Sequence, residues 1–407
     1  MLAVILSPLY VLVHIYIARW MYRWVKKCLR IDSHQYFKWF WFAVVIVYLL
    51  FATAMGVGFF LPTGTVKRFF VRSGNYWLGI LLHVILVVAA ADAIRLILKR
   101  CRRIDQEKLA SRRVFAAAGI FCVAAVTALG VWGVVNARII HTTRYETVIH
   151  KDAGSIDQMK VVLVADLHMG YNIGCSHIRR MAERINAEEP DLVVIAGDIF
   201  DNEYEALEDP EELIDIFKGI KSRYGVYACY GNHDISEKIL AGFTFGGNGQ
   251  EKQSDIRMDE FLDKAGVTLL RDESVLIADS VYLYGRPDRQ RPGRGIDKRK
   301  TPEEITEGMD LSKPVFVIDH QPKELQELAD AGVDLDLCGH THDGQMFPGT
   351  LTVRMMWENA CGYLKKDDMH NIVTSGVGIF GPDMRVGTIA EICSVTVKFE
   401  GAEGSAP

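Results

Sequence analysis

The rhythm of apolar and polar positions in this chain changes near residue 140. Before that point long apolar runs dominate. After it, short runs of Val, Ile and Leu alternate with amphipathic stretches and polar turns, the pattern of an α/β protein. Four early runs, 2–18, 39–61, 77–98 and 114–135, predict membrane-crossing helices, because about 20 apolar residues span a bilayer. The first is shorter and holds Pro8 and His14. Its cationic residues follow it, so it does not read as a cleaved leader.

Beyond the last run, residues 141–158 read as a polar connector without periodicity. The run 161–165 then predicts a buried strand ending in Asp166 and His168. A helix follows, with Ser176 as its N-cap and Ile178, Met181 and Ile185 as its apolar face, and Pro190 closes it. The strand 192–196 ends in Gly197-Asp198, completing a β-α-β unit. Asp209-Pro210-Glu211-Glu212 opens another helix in the manner of a capping box with Pro at its first position. The strand 226–230 ends in Gly231-Asn232-His233-Asp234.

Residues 235–254 form a glycine-rich loop, either a lid over the preceding cluster or a plain surface loop. A helix at 258–264 leads to strands at 269–277 and 281–285, turning at Asp279-Ser280. The strand 315–318 delivers Asp319-His320, with Pro322 opening a helix that Gly332 ends. The strand 335–338 delivers Gly339-His340-Thr341-His342. Strands at 371–374 and 388–399 are expected to complete a second sheet.

The net charge of -5 over 407 residues describes neither half of the chain. Its distribution says more. Arg19, Arg23, Lys26, Lys27, Arg30 and Lys38 follow the first apolar run; Lys99, Arg100, Arg102, Arg103, Lys108, Arg112 and Arg113 follow the third. Only Lys67, Arg68 and Arg72 separate the second from the third. By the positive-inside rule the two basic loops are cytoplasmic, which places everything after residue 135 outside. Eight cysteines without regular spacing form no disulfide framework, and Cys229 and Cys338 within strands read as buried thiols.

A buried strand followed by a polar ligand therefore recurs five times: Asp166 with His168, Asp198, Asn232 with His233, His320, and His340 with His342. Ligands of open α/β sheets gather at the C-terminal ends of strands. Carboxylate, imidazole and amide donors together suit Mn, Fe or Zn. The ordered set DxH, GD, GNHD, a lone His and GHxH resembles the calcineurin-like metallophosphoesterase family over 160–342.

That resemblance implies an α/β fold with a two-sheet β sandwich flanked by helices, here preceded by an α-helical transmembrane region. It implies two divalent metal ions, bridged by Asp198. Asp166, His168 and His342 would hold the first, and Asn232, His320 and His340 the second. It further implies a metal-activated water attacking phosphorus, with His233 protonating the leaving group and Asp234 orienting its ring. Asp343 departs from the small residue frequent in the family after GHxH.

The expected organisation is a transmembrane region over 1–140, a linker over 141–158, the metallophosphoesterase domain over 159–400 and a tail over 401–407. The basic run 286–300 reads as a solvated, mobile face, or as a guanidinium rim in which Arg286 and Arg289 contact substrate phosphate. The expected partners are a phosphate-ester substrate and the lipid bilayer; no nucleic-acid module is evident. The leading function is a phosphoesterase at the outer face of the cytoplasmic membrane, acting on phosphodiester, pyrophosphate or phosphomonoester bonds of an envelope lipid, nucleotide or wall-linked substrate. The competing one is a non-catalytic sensor using the same pocket. A transporter is disfavoured, since the spans lack clustered intramembrane charges, with only Asp92 and Arg95 near a span end.

Overall fold

The computed structural model describes residues 2–28, 34–101, 103–237, 239–240, 243–244 and 254–401. The chain divides into two compact units, one built chiefly on residues up to 134 and the other on most of the remainder.

The first unit is helical: α1 (Leu2–Cys28), α2 (His34–Phe60), α3 (Thr65–Arg100), the short α4 (Gln106–Ala110) and α5 (Arg112–Asn136). Helices α2 and α3 pack tightly because α3 offers Gly74, where a Cβ would lie 2.7 Å from the Met55 backbone nitrogen. Small residues let helix backbones approach in this way inside membranes. Among the described residues three helices are long and apolar enough to cross a membrane: 35–60, 65–100 and 112–136. The first expected span is a helix, α1, but is not among them; its second half carries Arg19, Arg23, Lys26 and Lys27.

The second unit is a two-sheet sandwich. One sheet has the order β1-β14-β2-β3-β4-β7, from β1 (Ile140–Ile149), β14 (Ala390–Phe399), β2 (Gln158–Val164), β3 (Leu192–Ala196), β4 (Val226–Cys229) and β7 (Val267–Leu269). The other has the order β12-β13-β11-β10-β9-β8, from β12 (Gly362–Lys366), β13 (Met369–Val373), β11 (Leu335–Cys338), β10 (Val315–Asp319), β9 (Val281–Arg286) and β8 (Glu273–Ile277). A separate pair, β5 (Ile239–Leu240) and β6 (Phe243–Thr244), forms a two-stranded ribbon.

Strands β2, β3 and β4 run parallel, as do β9, β10, β11 and β13. They are buried almost throughout, which is why runs such as 161–164 and Leu192–Ala196 are wholly apolar. On β2, Val161 and Leu163 face the inter-sheet core with Val194, Phe316, Leu335 and Val395. Val162 and Val164 face helices α6 (Cys175–Ala187), α7 (Pro210–Lys218) and α8 (Ile256–Lys264), alongside Ile178, Met181, Phe217 and Phe261. A third cluster, including Val315, Val317 and Leu328, lies under α9 (Pro302–Thr306) and α10 (Leu325–Asp330). The last helix, α11 (Gly349–Met356), follows the GHxH segment.

Several expectations change. The connector at 141–158 is largely strand β1, paired in parallel with β14 from Ile140↔Ala390 to Ile149↔Phe399. Its Thr, Val, Ile and Tyr content favours extended chain over linker. Strand β14 consequently joins the first sheet and not the second. The expected strand at 269–277 is two strands in different sheets, β7 and β8. Helix α6 has Gly174 at its N-cap, and the distant Glu208 carboxylate accepts from Cys175 N, so Ser176 lies inside the helix. Helix α10 starts at Leu325, three residues after Pro322, with Gly332 beyond its end. At α7 the expected cap is present: Asp209 accepts from Glu212 N and Pro210 is the first helical residue. The glycine-rich loop falls mostly on 238, 241–242 and 245–253, outside the described residues. All eight cysteines are free thiols.

Candidate metal centre

The C-terminal ends of β2, β3, β4, β10 and β11 converge, and the backbone there is unusual. Asp166, His168, Asp198, His340 and His342 all have positive φ, between 45° and 75°. Non-glycine residues adopt this region at a cost of about 1–2 kcal/mol each, so it persists only where the surroundings dictate it. Here they do. Asp166 N donates to Gly197 O at 3.0 Å and His168 N to Asp198 O at 3.0 Å, locking the end of β2 to that of β3. A Cβ on Gly197 would lie 2.6 Å from Gly231 N, and one on Gly231 would overlap Asp198 Oδ1. The GD and GNHD glycines are thus required by the close approach of two strand ends.

Three donor groups result among the described residues; one, His168 with Asp201 and His233, shares His168 with the first of the two clusters that follow. The ligand-type atoms of Asp166, His168 and His342 lie within 4.8 Å of one another, and so do those of Asp198, His320 and His340. One oxygen joins them: Asp198 Oδ2 is 3.1 Å from His320 Nε2 and 3.6 Å from His168 Nε2. His320 Nδ1 donates to Ala196 O at 2.8 Å, which orients the ring so that Nε2 faces Asp198 and, at 3.1 Å, His340 Nδ1. His168 Nε2 and His342 Nε2 face each other at 3.1 Å. The Asn232 amide oxygen is buried without a hydrogen-bond partner among the described residues.

Imidazole nitrogens facing each other, an orphaned amide oxygen and buried carboxylates are what a cation site requires, so the residues present fit a pair of divalent metals. The electrostatics agree. Burial, followed by the positive charge of His320, holds His340 down to about 3. Burial also holds His342 well below the usual histidine range, reinforced by His168 and Arg385. Both are therefore neutral, as metal ligation demands. Burial opposes the charge on His320, but Asp198 and Asp166 outweigh it and lift the imidazole to about 10. Burial pushes Asp166 up to about 6. The carboxylates thus draw positive charge toward themselves in the absence of metal.

His233 stands beside this set. Its ring is 5.2 Å from that of His168, and Phe380 covers it at 4.4 Å. Its backbone N donates to Asp198 Oδ1 at 2.8 Å. Its Nδ1 lies 2.5 Å from Asn202 Oδ1, while Asn202 Nδ2 donates to Ile235 O at 3.1 Å. That second bond sets the amide orientation, so Asn202 accepts and His233 Nδ1 carries the hydrogen, leaving Nε2 to handle a proton. Burial lowers His233 to about 4.

Asp234 does not orient this ring. Its carboxylate is fully buried and accepts from Phe200 N and Gly231 N at 2.8 and 2.7 Å, bracing the turn backbone. The residue that holds His233 is Asn202, which the sequence reading passed over although it follows Asp198 in GDIFDN.

The basic run also differs from the expectation. Arg286 is fully buried and bonded to Asp319 Oδ2 at 2.8 Å and Glu324 Oε2 at 2.7 Å, so it offers no surface to a substrate. Arg299 completes this network, bonding both acids. Arg289 is exposed, 3.7 Å from Glu324. Arg291, not singled out from sequence, donates to the Asn232 carbonyl at 2.9 Å. Asp343 is buried, at φ 46°, with Arg354 3.4 Å away. Arg385 was missed too. It is fully buried, donating to the carbonyls of Ser375, Gly376, Gly378 and Ile389 beneath His342.

Residues 159–344 match the sequence model of the family described as calcineurin-like phosphoesterase. The chain is 29% identical over 287 residues to a transmembrane protein with metallophosphoesterase domain of Danio rerio, covering 66% of this chain and 60% of that protein. It is 31% identical over 241 residues to an uncharacterized metallophosphoesterase of Helicobacter pylori, covering 58% of each. It is 27% identical over 246 residues to one of Aquifex aeolicus, covering 60% of this chain and 87% of that protein. The chain thus spans 60% and 58% of the first two relatives' lengths.

Proposed function

We propose that this chain, whose residues 159–344 match the calcineurin-like phosphoesterase family model, is a membrane-anchored, dinuclear-metal phosphoesterase of that family. The observation that carries the reading is Asp198 Oδ2, within 3.6 Å of imidazole nitrogens from both donor clusters. Asp166, His168 and His342 would hold one cation; Asn232, His320 and His340 the other; and Asp198 would bridge them. When bound, such a pair supplies Lewis acidity to phosphoryl oxygens and acidifies an attacking water.

The rest falls to the chain. His233, held by Asn202 with Nε2 bare, takes up at Nε2 the proton that the attacking water releases and passes it to the departing alkoxide. Phe380 excludes water from its ring, and Gln345, bonded to Phe380 N and O at 2.9 and 3.0 Å, fixes that cover. Substrates in keeping with three candidate spans and an extracytoplasmic domain are phosphodiesters, pyrophosphates or phosphomonoesters of envelope lipids, nucleotides or wall polymers. The charge distribution of the loops supports that side of the membrane.

The test is hydrolysis of bis(4-nitrophenyl) phosphate and 4-nitrophenyl phosphate by the full chain, metal-stripped and then reloaded with Mn, Zn or Fe. Turnover that follows the metal supports the enzyme, and the ratio of rates separates diester from monoester chemistry. Tight metal binding without turnover on either favours the sensor.

A further inference from the structure

We propose that residues 347–357 are a bilayer-docking element that brings the metal centre to phosphoesters carried on lipids; this rests on the phosphoesterase reading. Phe347, Leu351, Met355 and Met356 are 49%, 55%, 87% and 77% exposed. Leu351 and Met355, four residues apart, share one line along α11, and Phe347 precedes the helix. Of this helix only Thr350 is buried. Arg354, also exposed, adds a cation beside the apolar line. An apolar face flanked by a basic side chain suits the boundary between headgroups and acyl chains.

Eight residues make a weak anchor by themselves, but this segment is tied to the end of a candidate span. Asn136, the last residue of α5, donates from its side-chain amide to Arg385 O at 3.1 Å and Thr388 O at 2.7 Å. Between those two carbonyls, Val386 O accepts from Phe347 N at 2.8 Å and Val386 N donates to Gln345 O at 3.1 Å. Thr388 Oγ1 donates to Gln345 O at 3.0 Å. One short loop therefore joins the point where the span ends to the point where the apolar segment begins. Ile139 and Ile389, both exposed, lie in the same stretches. This continuity with a span end selects the bilayer over a second copy or another protein as the occupant.

The element is also joined to the chemistry. It starts five residues after His342 and ends at Trp357, whose ring meets that of His340 edge-on at 5.1 Å, with Lys323 Nζ 4.9 Å from the Trp357 ring centre. A lipid with its phosphate at the donor clusters would have its chains leaving across this apolar face, and Lys323 and Arg354 would meet anionic headgroups.

The test uses the full chain in phosphatidylethanolamine–phosphatidylglycerol nanodiscs. A photoreactive benzoylphenylalanine placed at position 355 should crosslink to phospholipid, whereas the same group at position 289 should not. A Met355→Glu, Met356→Glu variant should hydrolyse membrane-inserted 4-nitrophenyl hexadecyl phosphate at least tenfold more slowly than the parent, with bis(4-nitrophenyl) phosphate cleaved at an unchanged rate. Crosslinks to protein alone, or equal crosslinking at both positions, overturn the proposal. So does a double variant that affects both substrates equally or neither. If the parent cleaves neither compound, the phosphoesterase reading fails, and the lipid crosslink still decides the docking.

Discussion

The Nδ1 of His233 is held at 2.5 Å by Asn202 Oδ1, not by its neighbour Asp234. A buried imidazole needs one nitrogen fixed if the other is to transfer a proton reliably, and a correctly oriented amide does this without adding a charge. Asn202→Ala should lower kcat by about 10- to 100-fold, within the range general acid–base catalysis contributes, with KM and metal content near those of the parent. Asn202→Gln, which keeps the amide but lengthens its reach, should recover little. Metal analysis beside steady-state kinetics checks this; loss of metal would make Asn202 part of the scaffold instead.

His233 should separate chemistry from metal binding still more clearly. His233→Ala is expected to cost about 10²- to 10⁴-fold in turnover while metal stays bound. An activated leaving group such as 4-nitrophenolate needs less protonation, so the loss should be smaller for it than for an alkyl ester. Equal losses for the two would argue against a leaving-group role.

Arg286 tests the reassignment of the basic run. Removing it leaves Asp319 and Glu324 with Arg299 as their remaining buried guanidinium partner, and breaking a buried ion pair typically costs about 3–5 kcal/mol. Arg286→Ala should therefore lower the unfolding temperature strongly, whereas the exposed Arg289→Ala should shift stability by less than about 0.5 kcal/mol. A substrate-rim role for Arg286 would instead appear as a raised KM in a protein of parental stability.

A pH effect away from the donor clusters comes from His177. Its Nε2 donates to Val377 O at 3.0 Å, and burial lowers it to about 4. The folded state keeps this ring neutral, while the unfolded chain takes up a proton near the ordinary value of about 6.5. Its effect is absent above that value and becomes increasingly destabilising as pH falls toward 4, on the order of 2 kcal/mol by pH 5. Thermal unfolding of metal-free parent and His177→Gln at pH 7 and pH 5 checks the sign: the parent should lose more.

The five strand-end clusters were legible because each is local, a buried run and then a ligand, and the parallel sheets that gather them follow from the β-α-β order. Asn202 was not, because its importance depends on the Ile235 carbonyl, 33 residues away, turning its amide toward His233. Arg286 was misread for a related reason. A run of arginines looks solvated until Asp319 and Glu324 fold over it. Strand β1 was hidden by polar Thr, Arg, Glu and His at its exposed and half-buried positions, and its partner β14 lies at the far end of the domain. The spans were plain as apolar runs, except at α1, whose basic half interrupts the pattern.

In the proposed enzyme Asp198 joins two metal sites into one catalytic centre. This is tested most directly by counting metals per chain and measuring phosphodiester turnover on the same preparations of parent and Asp198→Ala. The expected result is about two divalent ions per active parent chain, loss of activity on stripping with recovery on reloading, and a variant depleted of metal and inactive. A variant that keeps both ions and parental turnover, or a parent that hydrolyses the diester equally well after stripping, would contradict it.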